Sequence, residues 1–310
     1  MKYLLILATL FLGAVLLANF AHDPAAADAL QASSRSAEDY FKQGLNLYQQ
    51  GDLERAIRAY DLAIRSLTQP VDGAESIRVI DPGAAPYYYN RGVAHYDRRN
   101  WEGALADFSE ALRLNPRYLL AWIKRGNIRL NLGEDEEAIA DFTEALRVDP
   151  RSVLAWNNRG LARHNIGEMA AAVADYTRAL DLDAKQPLVF NNRGSAKHDQ
   201  GNWVGALRDY DQAIALDPRL AAAWNNRGVS RRALDDLAGA IADYTEAIRL
   251  KPGMSIAYRN RSAALKEMGR DEEARQDFVR SIGPADAPAS MLEPPADDGR
   301  KKSPDSFGRD

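Results

Sequence analysis

The stretch AWNNRG occupies Ala155–Gly160 and returns unchanged at Ala223–Gly228, with VFNNRG between them at Val189–Gly194. The three copies lie 34 residues apart. A catalytic motif is needed once, whereas a structural unit that cannot bury its own apolar face is written repeatedly. The register extends outward in both directions. Glycine recurs at Gly92, Gly126, Gly160, Gly194 and Gly228, and Ser262 takes the next slot. Twelve residues later stands an alanine (Ala104, Ala138, Ala172, Ala206, Ala240, Ala274), and four further on an aromatic (Phe108, Phe142, Tyr176, Tyr210, Tyr244, Phe278). Pro116, Pro150, Pro218 and Pro252 close their units, with Ala184 replacing proline once.

Each unit reads as two helices. In the fourth, the first helix spans 153–166 and turns at Gly167, since glycine just past a helix adopts the left-handed conformation at little cost. The second spans about 170–182, carries apolar residues three and four apart, and stops before the proline position. Small residues at Gly160 and Ala172 let the two axes approach, and the ring of Tyr176 fills the wedge.

This pattern resembles the tetratricopeptide repeat. The resemblance covers residues 37–282 and implies an all-α, right-handed superhelical solenoid of about seven helix-turn-helix repeats, at 37–68, 85–118, 119–152, 153–186, 187–220, 221–254 and 255–282. The first unit is carried by Tyr40, Gly44, Ala56, Tyr60 and Ala63, and 48 residues rather than 34 separate it from the second. An insertion at 69–84 accounts for the difference, as a lengthened helix or a loop. The last unit, with Ser262 and Ser281 in small-residue slots and Glu272, Glu273, Arg275 and Gln276 outward, suits a cap that faces water.

A helix turns about 100° per residue, which assigns each residue of the tetrad a direction. With Gly160 facing the packed side, Trp156 falls within that side, Arg159 points back into the scaffold, and Asn158 faces away with Leu154, Leu161 and Asn165. In the family this second face lines the inner groove where ligand peptides lie. The arginine carries an internal control. Arg91, Arg125, Arg159, Arg193, Arg227 and Arg261 are each followed sixteen residues later by Asp107, Asp141, Asp175, Asp209, Asp243 and Asp277, while the first unit has Gln43 and Ala59. Joint presence and joint absence predict structural Arg–Asp pairs bridging helices, with the planar guanidinium holding the carboxylate by two bonds. Arg129, Arg163, Lys197 and Arg231, one turn further on, compete for the same aspartates. An anion-gripping arginine rail is the functional alternative.

The groove-facing series is Asn90, Asn158, Asn192, Asn226 and Asn260, broken by Lys124, with Asn127, Asn157, Asn191 and Asn225 beside it and His164 and His198 at the rim. An asparagine side chain both donates and accepts, so it pairs with peptide backbone without reading sequence. The series is similar to the asparagine ladder in the repeat domain of O-linked N-acetylglucosamine transferases, whose catalytic domain has no counterpart here. Helices packed about 8–10 Å apart and a chain advancing about 3.3 Å per residue put one rung at every third ligand residue. The alternative is that these asparagines solvate an open groove or cap loops. The lysine, asparagine and arginine set by which some family members bind C-terminal carboxylates is not found, since Ile123, Leu120 and Leu188 stand where charge is expected.

The ends read differently. Lys2 precedes an uncharged, mostly apolar run from Tyr3 to Ala21, then AAA at Ala25–Ala27 and ADA at Ala27–Ala29. Residues 1–27 are read as a secretory signal peptide, or as an uncleaved anchor, because about 18 apolar residues already span a bilayer. Either places the remainder outside the cytoplasm, periplasmic or secreted, after a linker at 28–36. Residues 283–310 hold five prolines and few apolar residues and are expected to be a disordered tail. The net charge of −4 does not favour nucleic acid, and the absence of cysteine excludes disulfides and thiolate sites.

Chemistry is not encoded. His164 and His198 give two metal ligands on stacked helices with no third fixed by spacing. The carboxylates of GEDEEA (Gly133–Ala138) sit at a helix N-terminus, where the dipole favours them. No catalytic residue, cofactor or metal is assigned. The expectation is a non-enzymatic envelope scaffold or adaptor that holds an extended segment of another protein in its groove. The alternatives are a self-associating structural solenoid, or a non-catalytic subunit of an envelope enzyme complex.

Overall fold

The computed structural model describes residues 36–67 and 82–283. The signal or anchor segment, nearly all of the insertion and the tail beyond Gly283 lie outside the described residues. Fourteen α-helices and one short 3-10 turn (Pro82–Ala84) make up the described structure, and it holds no strand. The chain divides into two compact units, with the boundary after Glu134.

The first unit contains α1 (Ala37–Gln49), α2 (Leu53–Leu67), α3 (Ala85–Asp97), α4 (Trp101–Leu114) and α5 (Leu119–Leu132). The second contains α6 (Asp135–Val148), α7 (Val153–Asn165), α8 (Met169–Leu182), α9 (Pro187–Asp199), α10 (Trp203–Leu216), α11 (Ala221–Ala233), α12 (Leu237–Leu250), α13 (Ser255–Glu267) and α14 (Asp271–Ile282). Within each unit consecutive helices pack as antiparallel hairpins, and each hairpin packs on the next. This is an all-α solenoid.

The small-residue register explains the packing. Gly160 of α7 is buried against Tyr176 of α8, and a Cβ at Gly160 would sit 2.8 Å from Tyr176 Cε1. The same approach recurs at Gly194 on Tyr210 and Gly228 on Tyr244. In the last hairpin Ser262 takes the slot; its hydroxyl donates to the Ala274 carbonyl at 2.6 Å, and the facing ring is Phe278, only half-buried. The serine that weakens the sequence pattern is thus accommodated locally. The turns use left-handed backbone at Gly51, Gly133, Gly167, Gly201 and Gly269, but the same slot is filled by Arg99 (φ 59°) and Asp235 (φ 64°) in two hairpins.

The connections between hairpins are also periodic. The indole of Trp122 donates to the Pro116 carbonyl (2.8 Å), Trp156 to Pro150 (2.9 Å) and Trp224 to Pro218 (3.0 Å). Where Ala184 replaces the proline, Phe190 replaces the tryptophan, so donor and acceptor residue change together. Asp183 accepts from the Lys185 backbone there, as Asn115, Asp149 and Asp217 do from the residue two further on in their own loops, and takes an additional bond from the Gln186 amide.

Candidate functional site

The arginines of the repeat register are scaffold hubs. Arg159 donates to Asp175 through Nε (2.9 Å) and Nη2 (2.8 Å), and its Nη1 reaches Thr143 of α6 at 3.1 Å. Its guanidinium also lies 4.7 Å from the ring centroid of Trp156, three residues earlier. One planar cation therefore ties three helices together. Arg193 (to Asp209 and Thr177), Arg227 (to Asp243 and Asp211) and Arg261 (to Asp277 and Thr245) repeat the arrangement. In the first unit Arg91 meets Asp107 and Asp61, and Arg125 reaches Ser109 and stacks on Trp122. Arg125 and Asp141 belong to different units.

The second cations share the aspartates rather than compete for them. Arg163 meets Asp175 at 2.8 Å, Lys197 meets Asp209 at 2.7 Å and Arg231 meets Asp243 at 3.1 Å. The aspartates are 1–3% exposed, so each buried carboxylate has more than one charged donor. Burial works against the charge of Arg91, but its bonds to Asp107 and Asp61 outweigh this and hold its pKa above the ordinary arginine value. Bonding to Asp277 likewise raises Arg261. The spacing gives the Arg–Asp pairs but not the third partner sixteen residues before Arg125, Arg159, Arg193, Arg227 and Arg261, nor the aromatic three before each arginine. Both lie in the 34-residue register and were legible there.

The asparagines form a connected structure. Asn260 Nδ2 donates to Asn225 (3.0 Å), Asn225 to Asn226 (3.1 Å), Asn226 to Asn191 (3.1 Å), Asn191 to Asn192 (3.5 Å), Asn192 to Asn157 (3.2 Å) and Asn157 to Asn158 (2.8 Å). A single amide chain thus runs across α13, α11, α9 and α7, with all donors pointing the same way. Its two rows differ in burial. Asn191 (9%) and Asn225 (5%) are buried, and Asn157 is half-buried, while Asn158, Asn192, Asn226 and Asn260 keep partial exposure. The expectation that Asn191 and Asn225 line an open groove is therefore corrected. They lie beneath the ladder residues, and their hydrogen bonds orient them.

The other predicted groove residues are placed as follows. Asn90 donates to the Pro86 carbonyl of its own helix at 2.7 Å and belongs to no chain of amides. Lys124 sits 4.9 Å from the Tyr96 ring centroid, and Asn127 is half-buried on α5. Tyr89 packs on Tyr118 and Phe108, and Tyr48 donates to Asp97. His164 lies 2.6 Å from Asp199, and His198 turns inward to the buried Ser230 at 2.8 Å, so the two histidines do not face a common point. Among the described residues no group of three or more His, Cys, Asp or Glu side chains is arranged to hold a metal ion. Arg232 is engaged by both carboxylate oxygens of Glu267, whereas Arg259 and Lys266 are exposed.

A second lateral rule emerges from these contacts. Asn157–Asn192, Asn191–Asn226, Asn225–Asn260, His164–Asp199 and Arg232–Glu267 all join residues 35 apart, one more than the repeat. Two rows of polar bonds therefore stitch the first helices of neighbouring hairpins.

Hairpins of this register, with a small residue under an aromatic in each and an arginine hub in all but the first, define a class of helical-repeat scaffolds. Tetratricopeptide repeat models match residues 40–66, 85–118, 123–187, 194–231 and 221–254. The chain belongs to the tetratricopeptide repeat family. A relative in Saccharomyces cerevisiae, the small glutamine-rich tetratricopeptide repeat-containing protein 2, is 32% identical over 92 residues, which is 30% of this chain and 25% of that protein. The chain thus spans about a quarter of that relative's length.

Among solved structures, a tetratricopeptide repeat protein of Parabacteroides merdae superposes with a TM-score of 0.63 at 20% identity, covering 79% of this chain and 92% of that one. The C-terminal part of a repeat protein from Cytophaga hutchinsonii gives 0.61 at 17% identity, covering 81% and 98%. PilW, described as a widely conserved type IV pilus biogenesis factor, gives 0.61 at 18% identity, covering 67% and 96%. These likenesses establish the fold. The repeats and the fold support a role as a protein–protein interaction scaffold.

Proposed function

We propose that the second unit holds an extended segment of a partner protein along the exposed asparagines of α7, α9, α11 and α13. The observation that carries this reading is the amide chain. Each interior asparagine of the chain spends one N–H and one oxygen lone pair on its neighbours, while a carboxamide has two of each. One donor and one acceptor remain at each of the interior rungs Asn192 and Asn226, already oriented and without the ordering cost a free side chain would bear. The buried asparagines beneath are positioning residues. Such a row pairs with peptide backbone, so it selects an extended conformation more than a sequence.

The reading also places the protein outside the cytoplasm. The apolar run Tyr3–Ala21 behind a single Lys2 supports export, with either cleavage near Ala27 or retention as an anchor. A reporter active only after export, fused following residue 36, checks this; a fusion that accumulates without activity would refute it.

The binding test uses the full chain and a peptide selected from a random extended library. N-methylation of that peptide at every third residue should abolish binding, because it removes backbone donors that the rungs meet. The Asn192→Ala/Asn226→Ala variant, matched to wild type in melting temperature, should weaken binding tenfold or more. Binding that tolerates both changes would remove the asparagine face from the site.

A further inference from the structure

Beside the amide chain, one helical turn earlier, runs a row of uncovered aliphatic side chains. Leu154 on α7 is 51% exposed, Leu188 on α9 is 59% and Ile256 on α13 is 46%, with only Ala222 on α11 interrupting. Each precedes its ladder asparagine by four residues, so both rows share one helix face. At the α13 end the lateral stitching stops. Arg259 stands where the other hairpins place Asn157, Asn191 and Asn225, and Lys266 where they place His164 and Arg232. Those interior residues bond to the next hairpin; Arg259 and Lys266 are exposed, and among the described residues neither has an ionic partner.

A second copy does not fit this end. Its leading helix α1 would bring Lys42 to the position that pairs with Arg259, and Gln49 to the position that pairs with Lys266. Like charges would meet, and the carboxylate beside Lys42, that of Glu38, is already engaged by Lys42 at 2.7 Å. The two cations instead complement an acidic group.

Resting on the asparagine-face reading above, we infer that the segment held there is amphipathic in a fixed register: aliphatic residues over Leu154 and Leu188, and an acidic residue at Arg259 and Lys266. The spacing follows from the fold. First helices about 10 Å apart and an extended chain advancing about 3.3 Å per residue set the two aliphatic residues three apart. The acid then lies about six residues beyond the second. Backbone hydrogen bonds supply adhesion, the apolar row fixes register, and the cations fix direction along the face.

Fluorescence anisotropy with the full chain tests this, using labelled serine- and threonine-based peptides of about twelve residues. The designed peptide carries leucine at the first and fourth positions and aspartate at the tenth and eleventh, and is made in both chain directions. One direction should bind at least tenfold more tightly than versions with serine for leucine or for aspartate, and its affinity should fall with added salt. Arg259→Glu/Lys266→Glu should lose the aspartate peptide and gain the version with lysine in place of aspartate. Leu154→Ser/Leu188→Ser should lose the preference for leucine but keep that for aspartate.

Binding by wild type with no preference for either feature would overturn this inference and leave the asparagine face standing. Failure of every extended peptide, including library-selected ones, would overturn both. Concentration-dependent dimerisation abolished by Arg259→Glu/Lys266→Glu would assign the basic end to a second copy and overturn the inference.

Discussion

Three tyrosines occupy the same slot in consecutive hairpins and differ only in what surrounds their hydroxyls. Tyr176, Tyr210 and Tyr244 are 0%, 1% and 0% exposed, each ring wedged under a glycine. The hydroxyls of Tyr176 and Tyr244 are buried with no hydrogen-bond partner among the described residues. That of Tyr210 bonds to Ser230 and Ser195. The difference is local sequence, since the residues matching Ser230 in the flanking hairpins are Ala196 and Ala264. A buried hydroxyl without a partner costs about 1–3 kcal/mol relative to a solvated one, while a satisfied one contributes about 1 kcal/mol. Phenylalanine keeps the ring packing and removes only the oxygen. Tyr176→Phe and Tyr244→Phe should therefore each stabilise by about 1 kcal/mol, and Tyr210→Phe should destabilise by a similar amount. For a domain of this size the split corresponds to about 4–8 °C in Tm. Urea unfolding followed by far-ultraviolet circular dichroism measures it directly. If all three variants shift the midpoint in the same direction, the hydroxyl environments do not govern stability and the reasoning fails.

Three further outcomes follow from other features. Asp175→Ala strands Arg159 and Arg163 together and should cost about 3–5 kcal/mol; adding Arg159→Met should recover part of it, and a melting curve equal to wild type would refute the hub. Replacing the left-handed turn residues by glycine, as Arg99→Gly or Asp235→Gly, should stabilise by about 1 kcal/mol each, more at Arg99 because aspartate tolerates that backbone better; unchanged thermal midpoints would count against turn strain. Alkaline pH should unfold the chain in a defined window. Bonding to Asp97 raises Tyr48, and burial raises Tyr60 and Tyr118, all to about 12 from an ordinary value near 10. Because the folded values are raised, stability is intact below pH 10 and is lost between about 10 and 12. Ultraviolet titration should show these phenols ionising late and together with loss of helix; free ionisation near pH 10 in the folded protein would refute it.

The division between what was legible and what was not follows the repeat itself. Contacts inside one hairpin have a fixed sequence offset, so Gly160 under Tyr176 and Arg159 with Asp175 could be read from spacing alone. Contacts between hairpins depend on the rotation of one hairpin against the next, which no single repeat encodes. That is why the bonds at an offset of 35 were missed, and why Asn191 and Asn225 were read as groove residues although neighbouring helices bury them. The pairing of Arg232 with Glu267 was invisible for the same reason. The proline–tryptophan pairing was available in the sequence, through the joint change at Ala184 and Phe190, but the link needed the indole direction to be recognised.

That pairing also sets a longer period within the second unit. The loops entering α7 and α11 are each fastened by an indole to a proline carbonyl, at 2.9 and 3.0 Å. Those entering α9 and α13 carry Phe190 and Tyr258 in the tryptophan slot, and neither ring has an indole N–H to offer. Joints with and without an indole clasp thus alternate along the second unit, so its loop fastenings repeat every two hairpins, at twice the period of the sequence.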